Sequence, residues 1–278
     1  MTQYPFSLTP NTRFFLKLPV HEKAFEVVLK ALEGPSGFVR ITGEVGTGKT
    51  ILCRKVLNSL DTHTQRYVTA FIPHPVLDET GIMQAIADEL GIETQGAEYY
   101  GLLKKITTRL VAESVNGRKV VLFVDEAQAM PEETLNALCL LGTLDEVTTS
   151  PAYVILFGQP ELITLLGNPA LSHLNSKITL SYQLPALDRR TLETYVAHRL
   201  LKAGYNGSRL FTHKALDALY HASRGIPRLA NVLAHKALMA SYGTGELKVD
   251  VKQIDSAVSD TEGAGSAKRS LIGKKPGP

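Results

Sequence analysis

The sequence predicts an α/β protein whose mostly parallel, five-stranded sheet is followed by a small all-helical domain. Two observations support this fold class. Short, continuous apolar runs alternate with amphipathic helical patterns through most of the chain, and only helical patterns follow Leu184. Continuous apolar runs are typical of strands buried on both faces, as in a parallel sheet covered by helices.

The segments with the length and composition of buried strands are 37–42, 66–72, 119–125, 152–158 and 177–184. Helical patterns occupy 21–32, 49–60, 79–90, 100–113 and 131–141. This alternation predicts a sheet with helices on both faces. Further helices are predicted at 190–202, 213–223, 227–242 and 251–259, separated by Gly-rich turns. The basic, Gly- and Ser-containing tail, 259–278, is predicted to be disordered.

The composition is that of an ordinary soluble globular protein, with 44% hydrophobic and 21% charged residues among 278. No apolar run approaches the roughly 18 residues of a membrane span, and the N-terminus does not resemble a secretory signal. We therefore expect a cytoplasmic protein. The tail supplies two of the three net positive charges, so the folded body is nearly neutral. A neutral body argues against strong sequence-independent binding to nucleic acid.

The segment GEVGTGKT, 43–50, matches the phosphate-loop pattern G-x-x-x-x-G-K-[ST]. It follows a predicted strand and opens a predicted helix, which is the context the motif requires. Backbone N–H groups of such a loop surround phosphate oxygens, the lysine reaches the β- and γ-phosphates of ATP, and the hydroxyl binds Mg²⁺. The candidate nucleotide-binding residues are Gly43, Glu44, Val45, Gly46, Thr47, Gly48, Lys49, Thr50 and Ile51.

A second candidate element is KVVLFVDEAQ, which ends at the carboxyl edge of the sheet, where open α/β sheets bind ligands. Asp125 is predicted to hold Mg²⁺ together with Thr50, and Glu126 is predicted to polarise an attacking water. A helix N-cap is the structural alternative for this acidic pair. Gln159, after the next strand, should reach the same edge and contact the γ-phosphate and the water, or else serve only as a turn or capping residue.

A third element, GIPR at 225–228, opens a predicted helix near the end of the chain. Pro227 suits a first helical turn, and Gly225 lets the preceding chain turn sharply. Arg228 is thereby placed at a helix N-terminus, where a cation is disfavoured unless an anion lies nearby. Its planar guanidinium is suited to a phosphate, so Arg228 is a candidate nucleotide-sensing residue.

Together these motifs resemble the AAA+ ATPases and, within them, the ExeA/GspA family of secretion-associated ATPases. The similarity runs from YPFSLTPNTRFF through GFVRITGEVGTGKT, VVLFVDEAQAM and LFGQPELITLL to SRGIPRLANVLAHKAL. The resemblance implies a P-loop nucleotide-binding base at 1–185 and a helical lid at 186–258. It also implies an ATP-dependent homo-oligomer with nucleotide at subunit boundaries, and an Arg228 that contacts the γ-phosphate of its own subunit.

Two segments depart from the family pattern. Lys177 stands where relatives typically have an arginine finger that reaches the neighbouring subunit's site, and lysine lacks the planar fork of arginine. Four interpretations remain open. Lys177 is a weakened arginine finger, Arg189 or Arg190 takes the role of the finger, a partner protein supplies the arginine, or Lys177 is only a surface residue. Cys139 and Thr143 replace an arginine and an asparagine that are common in relatives, which puts the signalling role of that segment in doubt.

The resemblance implies that ATP hydrolysis assists the assembly or positioning of an envelope-spanning machine. The candidates are a type IV pilus of the mannose-sensitive haemagglutinin (MSHA) kind and a type II secretion system, reached through an inner-membrane component. The alternative is a DNA-binding transposition-helper ATPase of the TniB type, which shares the base and lid signatures. A nucleotide-binding switch with little turnover is a third interpretation, against which Glu126 argues.

Overall fold

A computed structural model of the protein describes residues 3–7, 14, 16, 18–34, 37–141 and 152–264. These residues form two compact units. The base unit comprises Pro19–Glu44 and Lys49–Leu184, and the lid unit comprises the described residues among Met1–Leu18, Val45–Gly48 and Pro185–Pro278. Thr143 and most of the predicted disordered tail, from residue 265 onward, lie outside the described residues.

The sheet of the base unit contains five parallel strands, namely β1 (Phe38–Thr42), β2 (Tyr67–Ile72), β3 (Lys119–Val124), β4 (Ala152–Gly158) and β5 (Ile178–Gln183). Their order in the sheet is β2-β3-β4-β1-β5. The three interior strands β3, β4 and β1 are buried almost throughout, whereas half-buried and exposed residues alternate along the edge strand β5. This difference explains why the apolar runs of β3 and β4 are continuous. The predicted fold class, a parallel five-stranded sheet with helices, is confirmed.

Helices cover both faces of the sheet. One face carries α1 (Pro19–Glu33) and α2 (Lys49–Asp61). The other face carries α3 (Glu79–Glu89), α4 (Tyr99–Val115), α5 (Glu132–Leu141), α6 (Glu161–Leu166) and α7 (Ser172–Ser176). The short helices α6 and α7 were not predicted, because 6 and 5 residues are too few to show a helical period.

The lid unit contains the four helices predicted for it, α8 (Arg189–Lys202), α9 (His213–Ser223), α10 (Pro227–Gly243) and α11 (Val251–Ser259). Side-chain caps fix three of their N-termini. Asp188 accepts a hydrogen bond from the backbone N–H of Thr191 at 2.7 Å, Thr212 caps α9, and Asp250 forms a capping box at α11. These caps account for the sharp helix starts after the Gly-rich turns.

Within the lid unit, Arg199 of α8 anchors the N-terminal segment. Its side chain is 7% exposed and donates to the carbonyl oxygens of Pro5 at 2.6 Å and Ser7 at 3.2 Å, and to the Tyr195 hydroxyl at 2.8 Å. The guanidinium also lies over the Phe14 ring, 5.1 Å from its centroid. A buried cation is stable here because each of its nitrogens has a partner.

Candidate functional site

The phosphate loop follows β1 and leads directly into α2. Gly46 and Gly48 have φ angles of 86° and 102°, a region that favours glycine. Lys49 is only 5% exposed, and its Nζ donates to the carbonyl oxygens of Gly43 at 2.7 Å and Glu44 at 3.1 Å. Burial lowers the pKa of Lys49, and the carboxylates of the nearby acidic residues oppose this shift. The loop therefore holds a buried positive charge at the start of a helix.

Asp125 lies directly after β3 and is 3% exposed. The Thr50 hydroxyl donates a hydrogen bond to its carboxylate, and the Glu126 backbone N–H donates to Oδ1 at 3.0 Å. Burial raises the pKa of Asp125, and the hydrogen bond from Thr50 opposes that rise. A hydroxyl and a carboxylate in contact are a suitable ligand pair for Mg²⁺, so these two residues fit the predicted metal role.

Glu126 has an unusual backbone conformation, with φ 53° and ψ 38°. This left-handed conformation costs a non-glycine residue about 1–2 kcal/mol, and such strain is typical of functional sites. The residue turns the chain out of β3 into a short 3-10 helix, Ala127–Ala129. Glu126 therefore stands at the carboxyl edge of the sheet, where the sequence predicted it.

The carboxylate of Glu126 is held by two amides. Its Oε2 accepts hydrogen bonds from Gln128 Nε2 at 2.7 Å and from Gln159 Nε2 at 3.1 Å. Partial burial would raise the pKa of Glu126, but these hydrogen bonds, together with the nearby Lys49 and His74, lower the pKa below its ordinary value. The carboxylate is therefore ionised at neutral pH, as a group that attracts a proton from water must be.

The structure brings Gln159 to this carboxylate, as its position after β4 predicted. Its backbone N–H also donates to Gln128 Oε1 at 2.9 Å. Gln128 thus contacts both predicted residues, although the pattern that predicts roles for Asp125 and Glu126 predicts none for Gln128. The only signal was its place two residues after Glu126, and that spacing acquires meaning only from the 3-10 turn that follows β3.

Arg228 contacts the phosphate loop through its backbone, within the lid unit. Its N–H donates to the Gly46 carbonyl at 3.2 Å. A Cβ added to Gly46 would lie 2.5 Å from Arg228 Cβ, so the loop glycine and the GIPR turn pack without room for a side chain. The Arg228 side chain itself is exposed. Pro227 occupies the first turn of α10, as predicted.

The two unusual residues Lys177 and Cys139 lie beside each other. Lys177 is the C-cap of α7, and its Nζ is buried. Burial raises the pKa of the Cys139 thiol, and the adjacent Lys177 ammonium opposes that rise. Arg189 forms ion pairs with Glu193 at 3.0 Å and Asp217 at 2.5 Å. The side chain of Arg190 is exposed.

The fold of the described residues is the P-loop fold of the AAA type. The AAA domain family model matches residues 33–166. The chain is also similar to the general secretion pathway protein A of Aeromonas hydrophila, with 36% identity over 264 residues, which are 95% of this chain and 48% of the relative. The chain thus spans about half the length of this curated relative. The chain is thus similar to a general secretion pathway protein, and its residues 33–166 match the AAA domain.

Solved structures show the same fold at low sequence identity. The Cdc6p protein of Pyrobaculum aerophilum is similar with a TM-score of 0.69 and 16% identity, covering 92% of this chain and 70% of that one. The ORC2 protein of Aeropyrum pernix is similar with a TM-score of 0.62 and 18% identity, covering 91% and 72%. Within the described ranges, no helix combines the length and the apolar character needed to cross a membrane.

Proposed function

We propose that the protein binds ATP with Mg²⁺ at the phosphate loop and hydrolyses the γ-phosphate, with Glu126 polarising the attacking water. The observation that carries this proposal is the state of the Glu126 carboxylate. It is ionised, it is held through one oxygen by Gln128 and Gln159, and it stands at the sheet edge beside Asp125. A mere N-cap would not need this arrangement.

The remaining residues of the site bind different parts of the nucleotide complex. Lys49 would attract the phosphates, and backbone N–H groups of 43–51 would surround them. Thr50 and Asp125 would hold Mg²⁺, which neutralises phosphate charge when bound. Gln159 would orient the water or contact the γ-phosphate. For this chemistry we propose a nucleotide-binding domain at 1–185 and a helical domain at 186–258, which are functional divisions of the sequence and not the two compact units defined above.

Phosphate release from ATP tests the reaction directly. The wild-type protein should release phosphate in the presence of Mg²⁺, and Lys49→Ala should lose both nucleotide binding and release. The matched control is Lys104→Ala, which removes an exposed lysine from α4 and should leave both unchanged. Nucleotide binding by the wild-type protein without phosphate release would refute the hydrolytic role.

We propose that Arg228 senses the γ-phosphate within its own subunit. Its backbone already contacts the loop glycine Gly46, which favours a coupling between the GIPR turn and the loop. Arg228→Ala keeps this backbone contact and the Cβ atom, and it removes the rest of the side chain with its guanidinium. ATP turnover should therefore fall while the thermal unfolding midpoint stays unchanged. Unchanged ATP turnover in Arg228→Ala would show that the GIPR turn only packs against the loop and does not sense nucleotide.

We further propose a nucleotide-dependent homo-oligomer in which Arg190, rather than Lys177, is the arginine finger. The burial of Lys177 Nζ and the ion pairs of Arg189 favour the exposed Arg190 for this role. Turnover per subunit should rise with protein concentration in the wild type and in Lys177→Ala, but not in Arg190→Ala. If Lys177→Ala, and not Arg190→Ala, loses the dependence of turnover on protein concentration, Lys177 is the finger residue.

For the cellular role, we propose that the ATPase assists assembly or positioning of a secretion machine or an MSHA-like type IV pilus. The identity with a general secretion pathway protein supports the secretion context. The resemblance to the MSHA pilus member of the family, MshM, motivates the pilus. The protein would act in the cytoplasm, at the inner membrane through a partner.

Affinity capture tests this role. A Glu126→Gln variant with ATP should retain an inner-membrane pilus or secretion component, and Lys49→Ala should not. Salt-sensitive binding to duplex DNA that stimulates ATP turnover would instead establish the TniB-like alternative.

A further inference from the structure

We infer that Gln128 is a positioning residue for hydrolysis, whose amide fixes the Glu126 carboxylate and links it to the end of β4. This inference rests on the proposed ATPase function and adds a residue to it. Gln128 belongs to the short 3-10 helix Ala127–Ala129 and is partly buried. Its side chain spans the gap between the ends of two neighbouring strands, β3 and β4.

The orientation of the Gln128 amide follows from its two partners. The Gln159 backbone N–H can only donate, so the amide oxygen Oε1 must face it, at 2.9 Å. The amide nitrogen Nε2 must then face the other partner, Glu126 Oε2, at 2.7 Å. A carboxylate accepts this hydrogen bond only when ionised or when its proton lies on the other oxygen. The network therefore specifies one arrangement of the amide.

The site makes room for this amide at Gly158. A Cβ added there would lie 2.7 Å from Leu162 Cδ2 and 3.1 Å from Gln128 Oε1. Both distances are shorter than ordinary contacts between such atoms. A side chain at residue 158 would therefore push Gln128 away from the Gln159 N–H. The last residue of β4 and the amide of Gln128 are thus fitted to each other.

Both amides converge on the same oxygen of Glu126. Gln128 and Gln159 each donate to Oε2, and Oε1 receives no hydrogen bond from any residue in the described part of the chain. One oxygen is therefore used for holding, while the other is left for a water molecule. Two donors, one from the 3-10 helix after β3 and one from the residue after β4, restrict the rotation of the carboxylate more than a single donor would.

Loss of this positioning should reduce the chemical step more than nucleotide binding. Gln128 contacts no residue of the phosphate loop in the hydrogen bonds described for it. Misplacing a general base lowers the rate of proton transfer, while the phosphate-binding groups remain in place. The expected signature is a lower kcat with an unchanged affinity for nucleotide.

Two variants of Gln128 separate positioning from packing. Gln128→Ala removes the whole amide, and we expect kcat to fall about tenfold while the Kd for a fluorescent ATP analogue stays within about twofold. The control Gln95→Ala removes an exposed amide from a turn and should behave like the wild type.

Gln128→Glu is isosteric and keeps the acceptor for the Gln159 N–H, but it replaces the donor by a second carboxylate oxygen. At pH 8 its kcat should fall at least as far as that of Gln128→Ala. Acidification protonates the new acid and restores a donor toward Glu126, so its activity relative to the wild type should rise between pH 8 and pH 6. A packing role would not produce this pH dependence.

The outcomes distinguish the two proposals. Wild-type nucleotide binding without turnover refutes the proposed ATPase function. Wild-type turnover with a kcat within about twofold in both Gln128 variants overturns the positioning role. An equal loss in both variants at every pH assigns Gln128 to packing and also overturns it. If circular dichroism shows that Gln128→Ala does not fold, the isosteric variant Gln128→Glu alone tests the positioning role.

Discussion

Glu126 in the base unit and Arg199 in the lid unit are both charged side chains held by neutral partners, but their hydrogen-bonding capacity is used differently. Arg199 donates from Nε, Nη1 and Nη2 and lies against aromatic rings. Glu126 is held only through Oε2 within the described residues. A charged side chain whose nitrogens all have hydrogen-bond partners, as in Arg199, stabilises the fold. A carboxylate held through one oxygen, as in Glu126, can use its other oxygen to act on a water molecule.

Arg199→Met should produce the largest loss of stability, because it removes the fully paired charge while keeping much of the side-chain volume. Three hydrogen bonds from a charged donor are lost, including those to the carbonyl oxygens of Pro5 and Ser7. The free energy of unfolding should fall by about 4 kcal/mol. Thermal unfolding followed by circular dichroism measures this change.

Arg209→Met is the matched control in the same unit. The Arg209 side chain is 49% exposed and pairs with Glu193 at 2.9 Å, a surface ion pair that contributes about 0–1 kcal/mol. Equal losses in the two variants would remove the distinction between a paired buried charge and a surface charge.

Gly225→Ala should destabilise the lid unit by about 2–3 kcal/mol. Gly225 has φ 72°, and an added Cβ would lie 2.0 Å from the carbonyl oxygen of Leu187. The backbone must therefore move, which also disturbs the hydrogen bond from Leu187 N–H to Gly225 O at 2.9 Å. Gly243→Ala is the control, since a Cβ there meets nothing within 4 Å. A Gly225→Ala variant as stable as this control would contradict the close packing of the turn.

Asp125→Asn should change the stability of the base unit by a smaller amount than the preceding variants, and it should increase that stability. Burial raises the pKa of Asp125, so the ionised carboxylate is disfavoured in the folded state at neutral pH. Without nucleotide or Mg²⁺, Asn should raise the unfolding midpoint by roughly 2 °C, while Mg²⁺-dependent turnover is lost.

The pH dependence of this gain follows from the raised pKa. As the pH falls through the folded-state pKa, Asp125 becomes neutral like Asn, so the difference in stability should shrink. A difference that grows on acidification would show that the carboxylate is stabilising, contrary to the direction given by its burial.

The strands and most helices could be predicted from sequence because their signals are local. The apolar runs of β3 and β4 and the start of α10 at Pro227 needed no knowledge of distant residues. The same holds for Asp125, Glu126 and Gln159, since residues that follow parallel strands meet at one edge of the sheet. The parallel topology was enough to bring these three together.

The contacts that define the site more finely were not predictable, because they join distant parts of the chain. Gln128 meets Gln159 across 31 positions, and Arg199 meets Pro5 across 194. The burial of Lys177 beside Cys139 likewise depends on how α7 packs against α5. No periodicity or motif encodes such pairings, which arise only from tertiary packing.

The central claim is that Oε1 of Glu126, to which no described residue donates a hydrogen bond, acts on the attacking water, and Glu126→Gln tests this claim most directly. Gln is isosteric, so ATP binding measured by calorimetry should stay within about twofold of the wild type. Single-turnover phosphate release should fall by at least about a hundredfold, because the amide cannot accept the proton. Normal binding with an undiminished rate of release would contradict the account and leave Glu126 as a structural residue.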